Sequence, residues 1–175
     1  DELEKIREEV REIVERSKRE AKELLDRNKE IVKDLERKAR EILRENRDRV
    51  RRLAEKTNED EKTVRELLER NKKVARDVED KVRKLIEDNE RVARESEKRI
   101  RESEKKNRDV LRELEKRVDS EVLDELRRII ETSEKLNRDV LRESKEVNRD
   151  LTRKLEEVLR RSKEDNKRLS EKIKE

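Results

Sequence analysis

The chain has 175 residues, of which 61% are charged and 27% are hydrophobic, and its 55 basic and 51 acidic side chains give a net charge of +4. This composition is typical either of a disordered segment or of long helices, so the spacing of the apolar residues has to distinguish them. Gly, Pro, Cys, Met, His and aromatic residues are all absent. The lack of cysteine excludes disulfides and thiol chemistry and leaves the cellular localisation unknown.

The first predicted element is a long amphipathic helix. Apolar residues recur at steps of three and four from Leu3 to Ala54, which is the helical period, and they then stop for about three turns. Asn58 and Asp60 lie in this interruption and are residue types that cap helices. The sequence therefore predicts helix one over about 2–56, followed by a short loop near 57–60.

Two further helices follow with the same apolar spacing. The second stripe ends near Val118, and Asp119, Ser120 and Glu121 then supply a capping residue and an acidic first turn. We predict helix two over about 60–117 and helix three over about 120–174. No apolar run is long enough to cross a bilayer, so we expect neither a membrane-spanning nor a targeting segment.

Asparagines recur on these apolar stripes with a constant 18-residue spacing. This spacing corresponds to five turns of an α-helix, so each set lies on one line along a straight helix. An 18-residue repeat matches the undistorted helix, so we expect nearly straight rods of about 80 Å. The sets are Asn28 and Asn46, then Asn71, Asn89 and Asn107, then Asn148 and Asn166.

The asparagines also indicate how the chain folds back. Asn46 and Asn71 are symmetric about the first predicted loop, and Asn28 and Asn89 are symmetric about the same point. Helices two and three show the same symmetry about the second connection. One uninterrupted helix, stabilised by ion pairs three and four residues apart, is the alternative, but it has no need of this symmetry. We predict an all-α fold, an antiparallel up-down-up three-helix bundle forming a single domain over 1–175.

This register places polar residues in layers within the core. A buried amide without a partner costs about 1 to 3 kcal/mol, so three facing amides are expected to satisfy one another and to disfavour wrong registers. A ligand-binding role and a lapse at the edge of the stripe are the alternatives. The predicted structural layers are Asn46 with Asn71 and Asn166, Asn28 with Asn89 and Asn148, and a looser, water-accessible cluster of Ser17, Ser103, Asn107, Ser133 and Asn137.

The sequence resembles de novo designed, parametrically generated helical bundles with buried hydrogen-bond networks. The resemblance rests on the restricted residue alphabet, the Glu/Lys/Arg surface, the 18-residue repeat and the asparagine layers. It implies a synthetic coiled-coil-like bundle that acts as a structural scaffold. Spectrin-type three-helix repeats share the topology, but they carry aromatic residues and a heptad repeat that this chain lacks.

Catalytic and binding chemistry is poorly represented in the sequence. Without His, Cys or Tyr we expect no catalytic residues, no metal site and no cofactor, so we predict that the chain is not an enzyme. Charges of both signs are interleaved and no aromatic residue can stack on a base, so nucleic-acid and membrane binding are not expected. We expect a monomer that requires no partner. The alternative is an interaction subunit that binds a partner helix, or another copy of itself, through an exposed part of its apolar stripe.

Overall fold

The computed structural model describes residues 2–56 and 61–174, and these residues form three long helices. They are α1 (Glu2–Ala54), α2 (Glu61–Glu115) and α3 (Ser120–Lys174). The helices contain 53, 55 and 55 residues, and no strand occurs within the described ranges. The predicted all-α three-helix bundle is confirmed. The predicted loop at 57–60, with its capping residues Asn58 and Asp60, lies outside the described residues.

α1 and α2 each end two residues before the predicted position, because their last turns tighten, whereas α3 has the predicted bounds. After α1, the N–H of Lys56 donates to the carbonyl of Leu53 over 3.1 Å, a three-residue step in place of the four-residue step of an α-helix. After α2, the N–H of Arg117 donates to the carbonyl of Leu114 over 3.0 Å in the same way. Such tightening satisfies terminal carbonyl groups that lack a partner within the helix.

Asp119 caps α3, as the sequence predicts. Its Oδ1 accepts a hydrogen bond from the N–H of Val122 over 3.1 Å, and its carbonyl accepts from the N–H of Leu123 over 2.9 Å. These contacts satisfy two of the N–H groups near the start of the helix, where partners within the helix are scarce. No described residue has a positive φ angle, so the connection between α2 and α3 requires no glycine.

Burial along each helix follows the 18-residue repeat. In α2, for example, Val78, Ser96 and Leu114 are all buried, and each lies one repeat after the one before it. The same spacing of buried residues holds for the lines that carry the asparagines: Val10, Asn28 and Asn46; Asn71, Asn89 and Asn107; Ile130, Asn148 and Asn166.

The described residues form two compact units. Unit 1 comprises Asp1–Glu30 with Arg91–Val147, and unit 2 comprises Ile31–Glu90 with Asn148–Glu175. Every helix therefore contributes to both units. The prediction of one domain over 1–175 is not tested by this division and stays a prediction.

Each unit has its own apolar core. In unit 1, one cluster consists of Ile6, Val10, Val14, Leu114, Leu126 and Ile130, and a second consists of Ala21, Leu25, Ile100 and Val140. In unit 2, Leu53, Leu67, Leu169 and Ile173 form a cluster against which Val64 packs. Leu35, Val82 and Leu155 of unit 2 are also buried. The polar residues described next therefore lie among apolar neighbours.

Candidate functional site

The first amide group, in unit 2, consists of Asn46, Asn71, Asn166 and Ser170. The three asparagines are 0%, 2% and 4% exposed. Asn46 Nδ2 donates to Asn166 Oδ1 over 2.8 Å. Asn71 Nδ2 donates both to the backbone carbonyl of Asn166 and to Ser170 Oγ, each over 2.8 Å. In return, Asn166 Nδ2 donates to the backbone carbonyl of Asn71 over 3.4 Å. Side chains from all three helices therefore meet in this group.

The amide of Asn166 has partners in both of its orientations. Rotated by a half-turn, its nitrogen lies 2.8 Å from the carbonyl oxygen of Ser162 and 3.1 Å from Asn46 Oδ1, and its oxygen lies 3.3 Å from the backbone nitrogen of Ala75. The rotated orientation replaces a contact between two carbonyl oxygens at Ser162 with a hydrogen bond. It gives up the donation to the carbonyl of Asn71 and leaves the amide nitrogens of Asn166 and Asn46 2.8 Å apart. The contact with Asn46 is kept, with donor and acceptor exchanged.

The second amide group, also in unit 2, consists of Asn89, Asn148 and Thr152. Asn89 Nδ2 donates to the backbone carbonyl of Asn148 and to Thr152 Oγ1, each over 2.9 Å. Asn148 Nδ2 donates back to the carbonyl of Asn89 over 3.3 Å and to its Oδ1 over 3.1 Å. This is the donor pattern of Asn71, Asn166 and Ser170, repeated one 18-residue step away along α2 and α3.

Backbone carbonyls make this pattern possible. A helical carbonyl uses one lone pair for the N–H four residues later and has a second lone pair for a side-chain donor. Ser170 and Thr152 each follow an asparagine of α3 by four residues, so their hydroxyls lie one turn away on the same face. Sequence reasoning missed both hydroxyls. The signal that finds them is a Ser or Thr four residues after Asn148 and after Asn166.

Asn28 lies in unit 1, where its partner is Ser144. Asn28 Nδ2 donates to Ser144 Oγ over 2.8 Å, and the carbonyl oxygen of Ser144 lies 3.4 Å away. The structure thus pairs Asn89 with Asn148 and gives Asn28 a hydroxyl partner. The predicted direct contact of these three amides stays a prediction.

The predicted looser cluster, also in unit 1, forms two hydrogen-bonded sets. Ser17 Oγ lies 3.0 Å from Ser103 Oγ and accepts from Asn137 Nδ2 over 3.4 Å. Separately, Asn107 Nδ2 donates to Ser133 Oγ over 3.4 Å. Asn137 is only 1% exposed, yet its Oδ1 has no hydrogen-bond partner among the described residues. The donations from Asn107 and Asn137 both span 3.4 Å, whereas the shortest donations in the two amide groups span 2.8 Å and 2.9 Å.

The helix surfaces carry ion pairs that follow the same repeat. In unit 2, Arg83 hydrogen-bonds Glu79 and, with Lys163 nearby, holds the pKa of Glu79 below its ordinary value. In unit 1, one 18-residue repeat away on each helix, Arg101 and Lys145 lower the pKa of Glu97 in the same way. These groups are exposed or half-exposed, so each pair contributes little to stability.

Within 2–56 and 61–174, no group of three or more His, Cys, Asp or Glu side chains is placed to hold a metal ion. No helix in these ranges is both long enough and apolar enough to span a membrane.

Comparison with known proteins places the fold. No protein-family model matches the sequence, and no curated protein matches it. Among solved structures, the chain is similar to one described as a "Computationally designed three helix bundle", with a TM-score of 0.53 and 19% sequence identity over 99% of this chain and 86% of that chain. The fold of this chain is a three-helix bundle. At this identity the likeness is one of fold, and it confirms the resemblance that the sequence indicates.

Proposed function

We propose that this three-helix bundle is a designed structural scaffold in which buried amides fix the register of neighbouring helices. One observation carries the proposal: Asn71 and Asn89 make the same pair of donations to α3, to an asparagine carbonyl and to a hydroxyl one turn later. A pattern repeated after five helical turns fits a backbone built on that period.

A wrong register of α3 would remove the partners of buried amides. A slip of α3 by three residues would set Asn71 beside Leu169 and Asn89 beside Leu151, both of which are buried leucines. Each amide would then lose its partners inside the core, at about 1 to 3 kcal/mol per unsatisfied group. The apolar stripe alone opposes such a slip less strongly, because leucine packs against leucine in several registers.

The proposal includes a monomer that needs no partner or cofactor and has no catalytic role. Every large apolar side chain of the described residues is buried or half-buried, so the stripes are engaged within the units. The alternative function, an interaction subunit, requires apolar surface for a partner helix to cover. Interleaved charges that amount to only +4 likewise favour a scaffold without affinity for nucleic acid or anionic lipid.

The test compares single and triple substitutions in the first amide group. Asn71→Leu should lower the free energy of unfolding by about 1 to 3 kcal/mol, because the backbone carbonyl of Asn166 and the half-buried hydroxyl of Ser170 both lose their side-chain donor. Replacing Asn46, Asn71 and Asn166 together with Leu should cost less, since an apolar layer that packs well has no unsatisfied group. Chemical denaturation measures both effects, and light scattering gives the mass of each variant.

Asn107→Leu is the matched control, because Asn107 lies on the same line of α2 but donates only to Ser133 Oγ, over 3.4 Å. We expect it to cost less than Asn71→Leu. The triple variant should instead lose specificity, seen as mixed oligomers beside the 21.5 kDa monomer. A neutral Asn71→Leu, or a triple variant that remains a single species with parental structure, would remove the basis of the proposal.

A further inference from the structure

The two units share the 18-residue repeat but differ in how apolar their cores are. Within the described ranges, unit 1 has ten buried apolar side chains and unit 2 has fourteen, although the two units are of nearly equal length. Buried polar side chains number seven in unit 1 and six in unit 2 in the same ranges. Because burial of apolar surface is the main stabilising contribution to a fold, the core of unit 1 stabilises its unit less.

The difference lies at equivalent positions of the repeat. Among the described residues, Ser or Asn in unit 1 replaces a buried Leu or Val that lies one 18-residue step away in unit 2. The replacements are Ser17 for Leu35, Ser96 for Val78, Ser103 for Leu85, Ser133 for Leu151 and Asn137 for Leu155. A reverse exchange of a buried residue occurs at Ile130, whose counterpart is Asn148. Unit 1 therefore keeps the period of the repeat but has fewer large apolar side chains.

The hydrogen bonds of these polar residues offset little of the lost apolar burial. Asn137 Nδ2 donates to Ser17 Oγ over 3.4 Å, and Asn137 Oδ1 has no hydrogen-bond partner among the described residues. Ser133 Oγ accepts from Asn107 over the same distance. A buried polar atom without a partner destabilises the folded state, whereas a leucine at the equivalent position has no such requirement.

We propose that unit 1 opens reversibly while unit 2 stays folded. Folded proteins open in contiguous cooperative segments of this kind, and segments with few buried apolar contacts open first. Here the opening segments are residues 2–30 of α1, 91–115 of α2 and 120–147 of α3. The inference stands apart from the scaffold role, because it rests on the apolar content of two cores. Units that open together would leave the register of the amide groups unchanged.

Native-state hydrogen exchange of the intact protein, followed by NMR, measures the opening at single backbone amides. The reporters are buried residues in pairs one repeat apart, the first of each pair in unit 1: Ala21 and Ala39, Ile100 and Val82, Val140 and Val158. One fully buried leucine changes a folding equilibrium by roughly 10-fold or more, so we expect the unit 2 amides to exchange at least about 100-fold more slowly. Exchange in unit 1 should also depend less on denaturant concentration, because its opening exposes less surface.

Two variants on α3 distinguish partial from global opening. Val140→Ala weakens a core that is already open in the partly open state, so it should speed exchange in both units by about 10-fold. Val158→Ala is the matched control, since Val158 is buried one repeat later in unit 2. It weakens the native and the partly open states equally, so it should speed exchange in unit 2 alone. If either variant fails to fold, the rates in the parent protein decide.

Two results would overturn the inference. In the parent protein, equal rates within the matched pairs, or faster exchange in unit 2, would show that unit 1 does not open first. A Val158→Ala variant in which exchange rises equally in both units would show that the units open together.

Discussion

At the scale of single residues, Ser144 and Ser162 show that repeated positions can differ in their hydrogen bonds. They are one 18-residue repeat apart on α3 and both are buried. Ser144 Oγ accepts from Asn28 over 2.8 Å, whereas Ser162 Oγ has no hydrogen-bond partner among the described residues. Asn46, which follows Asn28 by one repeat, pairs with Asn166 instead.

This difference predicts opposite responses to the same substitution. Ser144→Ala should lower the free energy of unfolding by about 1 kcal/mol, because it removes the acceptor of a buried amide. Ser162→Ala should be neutral or stabilising by up to about 1 kcal/mol, because it removes a buried hydroxyl that has no partner among the described residues. Urea denaturation of the two variants beside the parent measures both. Equal losses from the two substitutions would show that Ser162 Oγ is hydrogen-bonded in solution.

The asparagine positions could be predicted from the sequence, but their partners could not. Residue spacing alone gives the line on which Asn71 lies and the residue of α3 that faces it. Which acceptor its amide chooses depends on side-chain torsions and on nearby backbone carbonyls, and spacing does not specify these. The sequence prediction therefore favoured amide-to-amide contacts, whereas Asn71 donates to a carbonyl and to Ser170.

At the scale of helices, the apolar period predicts that three helices exist, and the caps predict where they begin. Asp119 was identifiable because its side chain is of a capping type and stands where the apolar stripe is interrupted. The exact ends of α1 and α2 were not predictable to the residue, since tightening of a last turn depends on local packing rather than on a residue type.

The Asp119 cap can be tested directly. Asp119→Ala should lower the free energy of unfolding by about 1 kcal/mol, because the N–H of Val122 loses its acceptor and the positive end of α3 loses a nearby negative charge. Asp139→Ala is the matched control, since Asp139 is exposed within α3 and 3.6 Å from Arg142. It should change stability by no more than a few tenths of a kcal/mol. An equal loss in both variants would contradict the assigned cap.

At the scale of the whole chain, one period governs core, polar groups and surface together. Buried positions, the two amide groups and the ion pairs of Glu79 and Glu97 all recur with the 18-residue period. One position departs from this period in its hydrogen bonds. Asn107 is the third asparagine on its line, but its hydrogen-bond partner is Ser133, over 3.4 Å. On the other two helices, the positions one repeat before Asn28 and Asn148 are Val10 and Ile130, which belong to an apolar cluster of unit 1.

The register of α2 against α3 is measured most directly by NMR of the asparagine side-chain amides. The chain has nine asparagines and no glutamine, so every side-chain NH2 signal belongs to an asparagine. We predict slow solvent exchange for the amides of Asn71 and Asn89, with nuclear Overhauser contacts from Asn71 to Ser170 and from Asn89 to Thr152. Rapid exchange of these amides, or contacts from Asn71 and Asn89 to Leu169 and Leu151 in place of the two hydroxyl residues, would contradict the account.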